Sequence, residues 1–314
     1  MPESYKPDIL GNGFEQLTFA MPDDYEGKVV CTLVRKQNAA SSKKAVLYVH
    51  GFLDYFFQEE MADKLVEQGY NFYAVDLRKC GRSILPHQKP YNLRNVDEYF
   101  ADLETAITQI KHEGNTTLVL LAHSTGGLTC SLYLNHRNNV SALVLNSPFL
   151  EMNKRWLTRK VAIPFVAPFA VLFPNMAIKS GFSPYYGQSI HKDHKGEWSY
   201  RLDWKPIAAE KVTLSWLRGI YKAHKCIKRG LAIKCPILVL SSDKSMKGRK
   251  WSDAFHTADL VLNVNDIQTL ADRLGENVTK VQIPNGKHDL MLSGAPVRAS
   301  VYHTLFSWLN SHLA

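Results

Sequence analysis

Thr117-Leu-Val-Leu-Leu-Ala-His-Ser-Thr-Gly-Gly127 runs from an unbroken apolar stretch straight into a pair of glycines. Residues 117–122 read as a strand buried on both faces, and residues 126–136 as a helix that begins just beyond Ser124. A serine at such a corner sits on a sharp, strained turn with its hydroxyl projecting above the sheet. Its neighbours two positions away must be small, because strand and helix approach closely there. Ala122 and Gly126 meet that demand, although Ala122 is one methyl larger than the commoner glycine. No Lys-Ser or Lys-Thr follows the glycines, which argues against a phosphate-binding loop.

Working outward, the same alternation recurs on both sides. Residues 45–49 and 71–75 read as buried strands, each followed by a helical pattern, over 57–68 with Gly69 as its stop and over 96–111 with Gly114 beyond. Residues 140–146 form a fourth strand. Upstream, residues 14–20 and 29–34 suggest an antiparallel opening pair. The alternation lapses for most of the next 90 residues and resumes with a strand at 236–241, a helical pattern around 258–274, a strand at 279–283 and a terminal amphipathic helix over 297–313. This pattern predicts an α/β fold, a mostly parallel twisted sheet with helices on both faces, with chemistry in the loops at the carboxyl ends of the strands. The core is expected over residues 1–149 and 226–314, with an insertion over 150–225.

The chain has 314 residues, 45% hydrophobic and 21% charged, enough to bury a sizeable core and too apolar for a disordered class. Its net charge of +9 is concentrated: residues 151–230 carry 15 basic and 5 acidic side chains. The basic residues match no nucleic-acid recognition motif, so no nucleic-acid partner is expected. An apolar stretch at 161–173 falls short of the roughly 20 residues a membrane span needs and is broken by Pro164 and Pro168. Five cysteines without paired spacing fit a reduced, cytoplasmic setting, and the N-terminus lacks the pattern of a signal peptide. His191-Lys-Asp-His194 offers two histidines in a lysine-rich loop, an incomplete coordination set, so neither a metal nor another cofactor is expected.

A serine hydroxyl becomes nucleophilic when a base takes its proton, and that base needs an orienting acid. For this architecture the chain order is serine, acid, histidine, with the last two on loops after later strands. Asp243 after strand 236–241 and His288 after strand 279–283 fill those places. Asp253, Asp259 and Asp266 fall in a loop or on the following helical pattern and read as solvated or capping residues. Asp289 is expected to order its own loop, and Glu151 serves as acid only if it reaches back from the preceding strand. The oxyanion of an acyl-transfer intermediate would take its donors from the backbone amides of Thr125 and Phe52. His50 is expected to brace the Phe52 loop.

With the His50-Gly51 loop, Asp76-Leu-Arg-Lys-Cys-Gly-Arg-Ser83, the elbow at 122–127, Asp243 and Gly286-Lys-His-Asp289, the sequence resembles the α/β-hydrolase fold. Within it the likeness is to the serine aminopeptidase-like group that includes monoacylglycerol lipases and lysophospholipases. Departures are Ala122 at the elbow and Lys79-Cys80 where glycine and histidine are common. The resemblance implies that the insertion is a lid that selects substrate, and Trp156, Phe165, Phe169 and Phe173 are then candidates to line an acyl pocket. Lys154, Arg155, Arg159 and Lys160 flank that stretch in a manner suited to an anionic lipid headgroup or membrane surface. Together these readings point to a serine carboxylic-ester hydrolase acting on a small acyl ester or lipid. A peptidase or acyltransferase with the same triad, and a noncatalytic receptor, are the alternatives. The excess of basic over acidic groups in the insertion favours esters over peptides, whose free amino group would call for carboxylates.

Overall fold

A computed structural model of the chain describes residues 4–38, 40, 42–208 and 211–313. Its early strands are β1 (Lys6–Pro7), β2 (Glu15–Asp24), β3 (Gly27–Lys36), β4 (Lys44–Val49), β5 (Asn71–Asp76), β6 (Thr117–His123) and β7 (Ala142–Asn146). Two short strands, β8 (Ala177–Lys179) and β9 (Lys211–Thr213), pair with each other, and β10 (Ile237–Ser242) and β11 (Val278–Ile283) follow. Nine of them form one sheet in the order β1-β2-β3-β5-β4-β6-β7-β10-β11. Its first strands pair antiparallel, as expected, and from β5 onward all are parallel.

Period-two alternation on the parallel strands sorts side chains to two helical layers. Leu47, Val75, Leu120 and Leu143 point to one face, where they meet helices α2 (Phe100–His112), α3 (Thr125–Leu134) and α6 (Leu214–Arg229). Val46, Phe72, Leu121, Val144 and Leu240 point to the other, against α1 (Glu59–Glu67) and α8 (Ala295–His312). The chain moves to opposite sides of β4 to place β5 and β6, which opens a crevice beyond the carboxyl ends of these strands, where a site is expected. Ser124 follows β6 into that crevice.

Between β7 and β10 lies the segment expected as an insertion. One turn of π-helix (Thr158–Ala162), the short helix α4 (Ile163–Val166) and a 3-10 stretch (Ala167–Val171) lead to β8, and α5 (Tyr185–Gln188) and β9 lead to α6. Ile163, Ala167 and Ala170, spaced four and three apart, face inward. Helix α6 is capped by Thr213, whose hydroxyl accepts the Trp216 amide, and buries Trp216, Ile220, Ala223 and Ile227 against the core. It spans the expected boundary at 225/226. The helix expected around 258–274 is shorter: α7 occupies Val264–Ala271, capped by the Asn263 side chain. Among the described residues, no helix is long and apolar enough to cross a membrane.

Candidate active site

Ser124 sits between β6 and α3 at φ 51° and ψ −113°, a conformation that costs a non-glycine residue on the order of 1–3 kcal/mol and that surrounding structure must enforce. The Ser124 amide donates to the Asn146 carbonyl at 3.1 Å, and its own carbonyl accepts from Leu128 and Phe149. Close approach explains the small neighbours. A Cβ on Gly126 would lie 2.4 Å from the His50 carbonyl oxygen, and one on Gly51 would lie 3.1 Å from the Ser124 Cβ.

Across the crevice, Ser124 Oγ lies 3.0 Å from His288 Nε2, and His288 Nδ1 lies 2.9 Å from an oxygen of Asp259. All three side chains are buried. The carboxylate fixes the proton on Nδ1, which leaves Nε2 as acceptor for the serine hydroxyl. The other Asp259 oxygen accepts the amides of Val261 and Leu262, both at 2.7 Å, so the acid is held in place by its own turn.

The carboxylate that meets His288 is therefore Asp259 and not Asp243. Asp243 accepts the Asn285 amide at 2.8 Å and lies 3.9 Å from the Lys244 ammonium at the surface, where it braces the turn ahead of His288. Asp259 was expected on a helical pattern, but that helix starts at Val264. The residues before it fold back along the strand end, where Ser245 bridges Asp259 and the Asp259 carbonyl accepts the Met246 amide. Asn263, a capping side chain at the true helix start, is the local signal that would have removed Asp259 from the helix. Of the other acids, Asp253 accepts from the Trp251 indole, Asp266 pairs with Arg159 and Glu151 pairs with Lys228. Asp289 accepts from Asn146 and from the Met291 amide and so orders its loop, as expected.

The amides of Phe52 and Thr125 flank the elbow, and among the described residues neither has a hydrogen-bond partner. His50 is a brace: one ring nitrogen donates to the Gly51 carbonyl at 2.8 Å and the other accepts the Leu77 amide at 3.1 Å. Asp76 reinforces the same loop by accepting the Phe56 amide while pairing with Arg82. Lys79 adopts φ 62° and is held by ion pairs to Asp24 and Glu26.

Beside Ser124, Asp54, His123 and Asp289 offer ligand atoms within 4.8 Å of one another, the one candidate cation cluster among the described residues. Lys205, reaching in from the insertion, already places its ammonium 2.8 Å from Asp54. Burial would raise the Asp54 carboxyl, but Lys205 and His123 overcome it and hold the group well below the usual carboxylate range. The chain thus supplies its own counter-charge. His191 spends both ring nitrogens on backbone, the Tyr200 carbonyl and the Asp193 amide, which leaves no ligand there.

Ser124 and His288 open onto a cavity of about 540 Å³ walled by Phe52, Phe149, Met152, Phe182, Trp216 and Leu262. The expected wall of Trp156, Phe165, Phe169 and Phe173 is not part of it; all four are exposed. Ile163, Ala167 and Ala170 take the inward face of that stretch, so the aromatic rings turn out. Aromatics that do line the cavity include Phe52 of the turn loop, Phe149 just after β7 and Trp216 at the capped start of α6.

A family profile described as serine aminopeptidase, S33, matches residues 40–293. The chain belongs to this family. It shares the fold of a soluble variant of monoglyceride lipase from Saccharomyces cerevisiae solved with a substrate analogue, at TM-score 0.69 and 17% identity over 94% of each chain. It also superposes on the monoacylglycerol lipase of Paleococcus ferrophilus, at TM-score 0.64 and 17% identity over 95% of this chain and 99% of that one. A third similar structure is the ferulic acid complex of Est1E from Butyrivibrio proteoclasticus, at TM-score 0.55 and 15% identity over 99% of each chain. Among curated proteins, none matches this member of the family by sequence.

Proposed function

We propose that the protein is a serine carboxylic-ester hydrolase of the monoacylglycerol lipase or lysophospholipase type. The observation that carries this reading is the relay of Ser124 Oγ, His288 and Asp259, at 3.0 and 2.9 Å, opening onto an apolar cavity. Ser124 attacks the acyl carbonyl as His288 takes its proton, and Asp259 stabilises the imidazolium. The amides of Phe52 and Thr125 receive the oxyanion, each donor of this kind being worth about 3–4 kcal/mol in the transition state. His288 then protonates the leaving alcohol, and water releases the acid from the acyl-enzyme. The two lipases among the similar structures support an ester substrate, as does the cavity's single described acid, Asp54, which is already paired with Lys205.

The insertion serves as a lid in this reading, and its outer face meets an anionic membrane surface. Trp156, Leu157, Phe165, Leu172 and Phe173 are exposed together with Arg155 and Lys160, a pairing of apolar contact and positive charge that suits an acidic bilayer. Phosphatidylserine-containing vesicles should sediment the protein more fully than phosphatidylcholine vesicles do; equal recovery with both would remove the electrostatic half of this reading.

A fluorophosphonate probe should add its mass to Ser124, and the protein should hydrolyse monoacylglycerols or lysophospholipids in preference to aminoacyl amides. Failure of the folded protein to label, or exclusive amide cleavage, would overturn the assignment.

A further inference from the structure

The cavity is apolar at depth but basic at its rim. Lys154, Lys179 and Lys247 line it without a carboxylate partner among the described residues, while Asp54, the one acid there, belongs to Lys205. The acids on neighbouring elements are engaged elsewhere: Glu151 with Lys228 and Arg159, Asp266 with Arg159, and Asp259 with His288. Two of the free cations are fixed in place by backbone. Lys154 donates to the Ser180 carbonyl at 3.2 Å, and Lys247 donates to the carbonyl of Asn153, the residue before Lys154, at 3.4 Å. Gly181 makes room for the first: at φ 68° it has no Cβ, and one built there would stand 2.4 Å from the Lys154 ammonium. Half-burial and the charge of Lys247 both pull the Lys154 pKa down, the behaviour of two like charges held close without a counter-ion.

Carbonyls orient an ammonium but leave its charge uncompensated. We propose that Lys154 and Lys247 form an anion subsite at the cavity mouth that binds a phosphate or carboxylate carried by the substrate, while the acyl chain fills the apolar interior. This rests on the ester-hydrolase reading for the word substrate; the subsite itself is a matter of binding. It names the substrate class as acyl esters bearing an anionic group, ahead of neutral acylglycerols.

The test is calorimetric titration of the protein with octyl phosphate, octanoate and 1-octanol, which share one chain and differ in the head. Octyl phosphate or octanoate should bind at least about tenfold more tightly than the alcohol, the margin expected of charge-assisted hydrogen bonds to a half-buried ammonium. The ratio should fall toward one in Lys247→Met, whose side chain is exposed and whose loss leaves folding intact, and further in the Lys154→Met/Lys247→Met pair. Lys250→Met, on the same loop but outside the cavity, should keep it. Equal binding of all three compounds, or a preference that survives the double substitution, would overturn the subsite. Preference without any ester turnover would overturn the hydrolase reading and leave the subsite standing. Ester turnover without preference would do the reverse.

Discussion

The strands of the core and the apolar stretch of the insertion are similarly hydrophobic in sequence, yet they fold to opposite ends. In β6, Leu118 through Ala122 are wholly buried because the sheet has helices on both faces, so every position of the strand finds a partner. Over residues 161–173 only Ile163, Ala167 and Ala170 are buried, and the larger side chains Phe165, Phe169, Leu172 and Phe173 are left on the surface. Hydrophobicity in a two-faced sheet thus reports burial, whereas in a single layer of short helices it reports only that one face has found the core. The outer face is then available for a second apolar phase.

The sharpest way to test the division between site and surroundings lies with the two rival carboxylates. Asp259→Asn should lower kcat about a thousand- to ten-thousand-fold, since the imidazole loses both its orientation and its counter-charge, whereas Asp243→Asn should leave it within about twofold. Ester assays on both variants check this, and a reversed result would return the triad to Asp243.

Stability should separate the two apolar regions next. Leu120→Ala should cost about 3–4 kcal/mol in denaturant unfolding, as a fully buried leucine does, whereas Phe165→Ser should stay within about 0.5 kcal/mol. A large loss in Phe165→Ser would mean that the outer face packs against the chain itself.

The seam between insertion and core should respond to acid. Burial on α6 pushes the His224 imidazole down to about 4, beside the Phe149 carbonyl that it bonds at 2.9 Å. Because the unfolded chain binds this proton near pH 6.5 and the folded one only near 4, stability should fall as pH drops through that window, by up to roughly 3 kcal/mol. His224→Gln should flatten the profile of melting temperature between those pH values; an unchanged slope would assign the acid sensitivity elsewhere.

The smallest effect concerns membranes. Replacing Phe165, Phe169 and Phe173 together by serine should leave turnover of a water-soluble short-chain ester within about twofold, because exposed side chains outside a site seldom move its energetics. Sedimentation with phosphatidylserine vesicles should drop. Loss of soluble-ester turnover would instead draw these rings into the site.

The core strands and the nucleophile turn were legible because each is encoded locally: an unbroken apolar run for a strand covered on both sides, and small residues where helix and strand nearly touch. Ser124 and His288 followed from chain order on that frame. Asp259 did not, since a carboxylate five positions ahead of an α-helix looks the same in sequence whether it faces water or folds back onto an imidazole. Asp243, closer to its strand, held the expected position but was drawn outward to the Asn285 amide.

The amino-acid order alone decided the layered α/β architecture, the strained serine and its histidine, because short-range periodicity and steric limits act within a few residues of the chain. Long-range packing settled which carboxylate completes the relay, which aromatics wall the cavity and where uncompensated lysines gather. Those outcomes depend on which side chains from distant segments bury one another, and burial is a competition among elements that no single stretch can register.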